Sequence, residues 1–200
     1  MKNVVFSEAY PVLKEEFNEE TAKRIMDEAE KEFLTLCNEN ASSSKAVKQH
    51  TEGKIYPAVG IYHALLNEGV ENEKAVAIVD DILMSGAEKQ AKGIRAILKI
   101  PGFYKLMPKI YIKVAKSSFG EKQGFKATFY DMGPDRAKFD MTKCLYCDTC
   151  KKLDCMDIAK CFCHTDDITS GQISDKLIWD RHQTMGDGAP CCDFDLYIKK

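Results

Sequence analysis

The hydrophobic period of this chain changes once, near residue 120, and that change constrains the fold more than any other feature. Before it, apolar residues recur at helical spacing. From Asn18 to Cys37 they fall at Ala22, Ile25, Met26, Ala29, Phe33, Leu36 and Cys37, one face of a helix, with Asn18 placed to cap it and Glu19 and Glu20 in its first turn. Residues 39–54 are polar and turn-rich and read as a loop or a short frayed helix. Pro57 suits a first helical turn, and the helix it opens should run to Asn67, closed by Gly69. Further helices are expected over Glu71–Met84, Ala87–Lys99 and Gly102–Ser118. After residue 120 the pattern alternates. Phe125, Ala127 and Phe129 oppose Lys126, Thr128 and Tyr130, a turn follows at Met132–Asp135, and Ala137–Met141 returns. A helix over Lys143–Lys160, a strand-like stretch over Ile173–Thr184 and a strand from Cys192 to Ile198 complete the reading. The expected architecture is α+β. An N-terminal helical bundle (1–120) packs on a small, mainly antiparallel sheet of two hairpins with a crossover helix (121–200), in one continuous domain.

Net charge is −2, which lacks the basic surplus that nucleic-acid binders and membrane-surface binders use. No run of apolar residues is long enough to span a bilayer, and the first residues do not form a secretory signal. The expectation is a soluble cytoplasmic chain with no nucleic-acid or membrane partner. A homodimer is compatible with a helical layer that keeps some apolar surface.

Eight of the nine cysteines lie between Cys144 and Cys192. In a reducing compartment such clustering means metal, catalysis, redox sensing or plain burial. Cys144, Cys147, Cys150, Cys155, Cys161 and Cys163 lead into His164, and C-x2-C pairs commonly grip zinc or iron–sulfur clusters. The third gap is wrong for a ferredoxin run. On a single helix Cys144, Cys147 and Cys155 would share a face while Cys150 pointed elsewhere, so burial as small hydrophobes is the competing reading. In an extended segment Cys161 and Cys163 would share a face. With His164, Asp166 and Asp167 they offer either a nucleophile and base, a partial metal site, or a turn-capping pair beside a solvated histidine. The segment from Arg181 to Phe194 adds a bidentate cation and glycines that allow close approach or positive φ. His50 and His63 read as bland, and the lysines of residues 105–116 as a solvated helix face.

The string Cys144-x-Tyr146, then Cys163-x2-Asp166, then Arg181-x2-Thr184-x3-Gly188-x3-Cys192-Asp193-Phe194 resembles the L-2-amino-thiazoline-4-carboxylic acid hydrolase family, best over Thr142–Leu196. The cysteines at 147, 150, 155, 161 and 191 are extra to that pattern. The resemblance implies hydrolytic opening of a small cyclic isothiourea. Water attacks the ring carbon between sulfur and nitrogen, and a thiolate leaves. It further implies catalytic roles for Cys144, Cys163, Asp166 and Cys192 as nucleophile, base or ligand. Arg181 would hold a substrate carboxylate, and Thr184 and the backbone near Gly188 would bind developing charge. A divalent metal such as zinc would be held by some of Cys144, Cys163, Cys192 and His164. The alternative from another class is a non-catalytic thiol-based metal-binding or redox-sensing module. A small-molecule sensor on the same scaffold is a third.

Overall fold

The computed structural model describes residues 3–200. Helices α1 (Val4–Glu16), α2 (Glu19–Glu39), α3 (Lys45–His50), α4 (Tyr56–Asn67), α5 (Asn72–Leu98) and α6 (Met107–Ser118) precede the hairpin β1 (Lys126–Tyr130) and β2 (Arg136–Lys143). Helices α7 (Leu145–Lys152) and α8 (Ala159–Asp166) then lead to β3 (Leu177–Trp179) and β4 (Cys192–Ile198). The fold is α+β, with helices first and a four-stranded antiparallel sheet of order β1-β2-β4-β3 after them.

The alternation after residue 120 sets the sheet register. Ala137, Phe139 and Met141 on β2 stand opposite Leu196, Phe194 and Cys192 on β4, so every inward residue meets an inward partner. Phe139 and Phe194 stack with centroids 4.6 Å apart. On the helical side, Asn18 caps α2 by accepting from Thr21 N–H, and Ala22, Ile25, Ala29 and Leu36 face inward. The inward residues of α2, α4 and α5 join those of β2 and β4 in one hydrophobic cluster. A second, smaller cluster joins Ala91 on the far half of α5 to Ile173, Leu177 and Leu196.

Several expectations are corrected. The polar stretch before Pro57 is a turn at residues 40–44 and then helical, the second of the two readings, but longer than a frayed end: Ser44 caps α3, and a π-helical turn, Thr51–Ile55, carries the chain directly into α4. Thr51 and Ile55 turn inward, and burial overrides the polar composition. The helices expected over Glu71–Met84 and Ala87–Lys99 are one, α5, because both halves pack and Gly86 costs only about 1 kcal/mol in a long helix. The last helix of the bundle opens with a 3-10 turn, Phe103–Leu106, before α6. The crossover is not a single helix. It breaks at Asp154, which sits at φ 52, and the N–H of Cys155 closes the turn on the carbonyl of Cys150 at 2.9 Å. A 3-10 turn, Met156–Ile158, then starts α8. Cys161, Cys163 and His164 are therefore helical rather than extended, and Cys161 and Cys163 point apart. Of the strand expected over Ile173–Thr184 only Leu177–Trp179 pairs, at the sheet edge.

Candidate active site

The break at Asp154 turns α8 so that its Cys163 and Asp166 meet the segment after β3. Cys144 is the N-cap position of α7, at the end of β2, and Cys192 opens β4. Between them Thr184 caps a 3-10 turn, Met185–Asp187, by accepting from Asp187 N–H at 3.1 Å. The turn presses on α8. A Cβ on Gly186 would lie 2.8 Å from Cys163 Sγ and 3.0 Å from Lys160 Cα, so only glycine permits this approach. Gly188 ends the turn at φ 88, a conformation that disfavours other residues. Asp193 holds the incoming strand by accepting from the N–H groups of His182 and Gln183 at 3.0 and 2.8 Å. The N–H of Met185 donates to Cys192 Sγ at 3.2 Å.

These elements gather the sequence-selected residues unequally. The thiols of Cys144, Cys163 and Cys192 lie close enough to oppose one another's ionisation. Burial pushes Cys163 up to about 11 and Cys192 up to about 12, the latter opposed by the Met185 N–H. Cys144 is pushed upward by its hydrogen-bonded neighbour Cys147 and then by burial. All three are thiols near neutral pH. Asp166 is different. Burial raises its pKa to about 6, against the opposing charges of Arg181 and Lys54, yet 37% of its side chain stays accessible. A carboxyl group both crowded and reachable is suited to proton transfer near neutrality.

Arg181 is committed. Its side chain is only 5% exposed and reaches the carbonyl of Cys163 through both terminal nitrogens at 3.1 Å. It also contacts Asp166 at 3.4 Å and Asp167 at 2.7 Å, and lies over the rings of Trp179 and Phe194. It thus fastens the C-terminal end of α8, where a cation also complements the helix dipole. His164 leaves the group, with Nδ1 2.9 Å from Asp80 on α5. Cys150 and Cys155 form a separate buried thiol pair. Among the described residues, no set of three or more His, Cys, Asp or Glu side chains is arranged to hold a metal ion.

Four groups to which sequence reasoning gave no role adjoin the site. His50 Nε2 lies 3.0 Å from the carbonyl oxygen of Ser118, which can only accept, so Nε2 carries the proton. Burial lowers the pKa of His50, which keeps the ring neutral and leaves Nδ1 an acceptor. The phenol of Tyr146, 3.2 Å away, therefore donates to Nδ1 and turns its lone pairs elsewhere. Burial, then the charge of Asp166, holds that phenol protonated. Lys54 stands exposed on the π-helical turn, four residues after His50, and its charge favours ionised Asp166 without an ion pair among the described residues. Tyr111 on α6 adds a second phenol near Asp166. Only Tyr146 carried a sequence signal, through its place beside Cys144. His50 and Lys54 sat in a string that read as a loop or a short frayed helix.

A family model described as L-2-amino-thiazoline-4-carboxylic acid hydrolase matches residues 48–196. No curated protein matches the chain. Among solved structures, the crystal structure of an Fe(II) unliganded H-NOX protein mutant from K. algicida aligns over 100% of this chain and 97% of its own, at 12% identity and a TM-score of 0.34. A likeness that weak carries no argument about fold or chemistry.

Proposed function

The chain belongs to the L-2-amino-thiazoline-4-carboxylic acid hydrolase family, and on that premise we propose that it opens a small anionic cyclic isothiourea with Asp166 as the proton-transfer group. The observation that carries this reading is the crowded, accessible carboxyl group with its pKa raised to about 6. Asp166 takes a proton from water as the water oxygen bonds to the ring carbon between nitrogen and sulfur. The carbon–sulfur bond of the tetrahedral adduct then breaks, and the proton returns from Asp166 to the departing sulfur. The net change is addition of one water, which gives an N-carbamoyl cysteine from 2-amino-thiazoline-4-carboxylate.

The other residues support that step. Arg181, gripping Cys163 and both aspartates, is a positioning residue. Its burial argues against its holding the substrate carboxylate, and Lys54 is the accessible cation for that task. The thiols of Cys163, Cys144 and Cys192, raised in pKa, are weak nucleophiles and suit the site as apolar walls and weak S–H donors to the leaving sulfur. The hydroxyl of Thr184 adjoins Cys163 but gives its one proton to Asp187 Oδ2 at 2.6 Å, so it fixes the turn beside that thiol. Tyr146 offers an acceptor to an N–H of the substrate.

The test is direct. With 2-amino-thiazoline-4-carboxylate, the protein should release a carbamoyl product seen by mass spectrometry. Asp166→Asn should lower kcat/KM by roughly 10²- to 10⁴-fold. As a base, Asp166 works only when ionised, so kcat/KM should climb with pH up to about 6 and then level off. No product from the wild-type protein, or a profile flat through that range, would sink the proposal.

A second reading, thiol-based redox sensing, draws on the paired thiols Cys144 with Cys147 and Cys150 with Cys155. It predicts that mild oxidation with glutathione disulfide forms an intramolecular disulfide within one of those pairs, detectable by peptide mapping. Absence of that bond in the oxidised protein would eliminate it.

A further inference from the structure

From Ile97 to Lys126 the chain carries seven lysines and one acidic residue, Glu121, in a protein whose net charge is −2. Five of these lysines, Lys99, Lys105, Lys109, Lys113 and Lys116, belong to the end of α5 and to α6 with the 3-10 turn before it, and all five are exposed. None forms an ion pair among the described residues. Interleaved with them stand Ile97, Ile100, Leu106, Ile110 and Val114, each between 39% and 56% exposed. At about 100° per residue, Ile110 and Val114 fall on one stripe of α6, with Leu106 at its N-cap and Lys109 and Lys113 beside it. The opposite face of the same helix is inward, with Pro108 and Ala115 buried.

A solvated helix face has no need of five exposed aliphatic side chains, and a nucleic acid would use the lysines but not the aliphatics. A surface with anionic groups above and hydrocarbon below uses both, because lysine stems lie along the apolar layer while their ammonium groups reach up to phosphate. No helix among the described residues is long and apolar enough to cross a membrane, so such a contact would lie flat. We propose that the outer face of α6, with the corner between α5 and α6, docks the protein on an anionic lipid bilayer. The balanced overall charge hides this surface, because the compensating acids lie elsewhere in the chain. The inner face of α6 carries Tyr111, and its end supplies the Ser118 carbonyl that orients His50, so docking would bring the candidate site to the bilayer.

The experiment is co-sedimentation of the full chain with phosphatidylcholine vesicles and with vesicles that also contain phosphatidylserine. Binding should require phosphatidylserine and weaken with added salt. Lys109→Gln with Lys113→Gln should weaken it roughly 25-fold, at about fivefold per lysine. Ile110→Ser with Val114→Ser should weaken it as well, and unchanged thermal midpoints would show both variants folded. Binding equal on the two vesicle types, or absent from both, overturns the proposal. Loss in the lysine variant with none in the aliphatic variant also overturns it, because it would reduce the surface to a cation patch that any acidic protein could satisfy.

Discussion

Gly186 shows how one residue without a side chain fixes a site. Its Cα faces Cys163 Sγ, Lys160 Cα and the Ala159 carbonyl carbon, two of them backbone atoms of α8 that cannot move aside cheaply. Gly186→Ala should therefore destabilise the fold by about 1–3 kcal/mol, read by urea denaturation. It should also lower turnover, because the displaced turn carries Thr184 and the N–H that meets Cys192. Loss of stability without loss of activity would show that the turn does not shape the site. The glycines of this stretch were visible in the sequence as points of freedom. That Gly186 answers to crowding and Gly188 to positive φ was not, since one depends on a helix 20 or more residues away and the other on the turn itself.

At the scale of elements, the helical layer is held by close crossings. On α4, Gly60 lies against the backbone of Ala29 on α2, and an added Cβ would stand 2.6 Å from the Ala29 carbonyl oxygen. Gly60→Ala gains about 0.5–1 kcal/mol of helix propensity but must separate two backbones, so the net change should be destabilising by about 1–2 kcal/mol. Gly93 on α5 has nothing within 4 Å of its added Cβ. Gly93→Ala should stabilise by about 0.5–1 kcal/mol, measured in the same denaturation series. Opposite signs for the same substitution in two helices would separate packing from propensity. The amphipathic stripes of α2 and α5 were plain in the sequence, as were the strands that pair Ala137, Phe139 and Met141 with β4. Breaks were less legible. Ser85 and Gly86 looked like a stop yet continue α5, whereas nothing flagged Asp154, whose left-handed φ divides α7 from α8.

For the whole molecule, one cluster of buried side chains runs from Ile25, Val59 and Ile78 to Phe139, Cys144 and Phe194. Neither the helical region 1–120 nor the region 121–200 encloses that core alone. The full chain should unfold in a single cooperative transition, with circular dichroism and tryptophan fluorescence coinciding. Residues 121–200 expressed alone should give a collapsed amide spectrum by NMR. A well-dispersed spectrum from that fragment would mean two domains.

By itself, the sequence determined the α+β class, the cap at Asn18 and the alternating strands after residue 120, because periodicity is a local property that survives without neighbours, while a resemblance in its motifs pointed to the family and to Cys144, Cys163, Asp166 and Cys192 as residues to test. Tertiary structure alone decided what those residues are chemically. It buried Arg181 against Asp166 and Asp167, turned His164 toward Asp80, and brought His50 to Tyr146 from 96 residues away. Ionisation depends on desolvation and on charges assembled from distant segments. Of the cysteines that suggested metal, Cys144, Cys163 and Cys192 are thus protonated thiols near one carboxyl group whose pKa is raised to about 6.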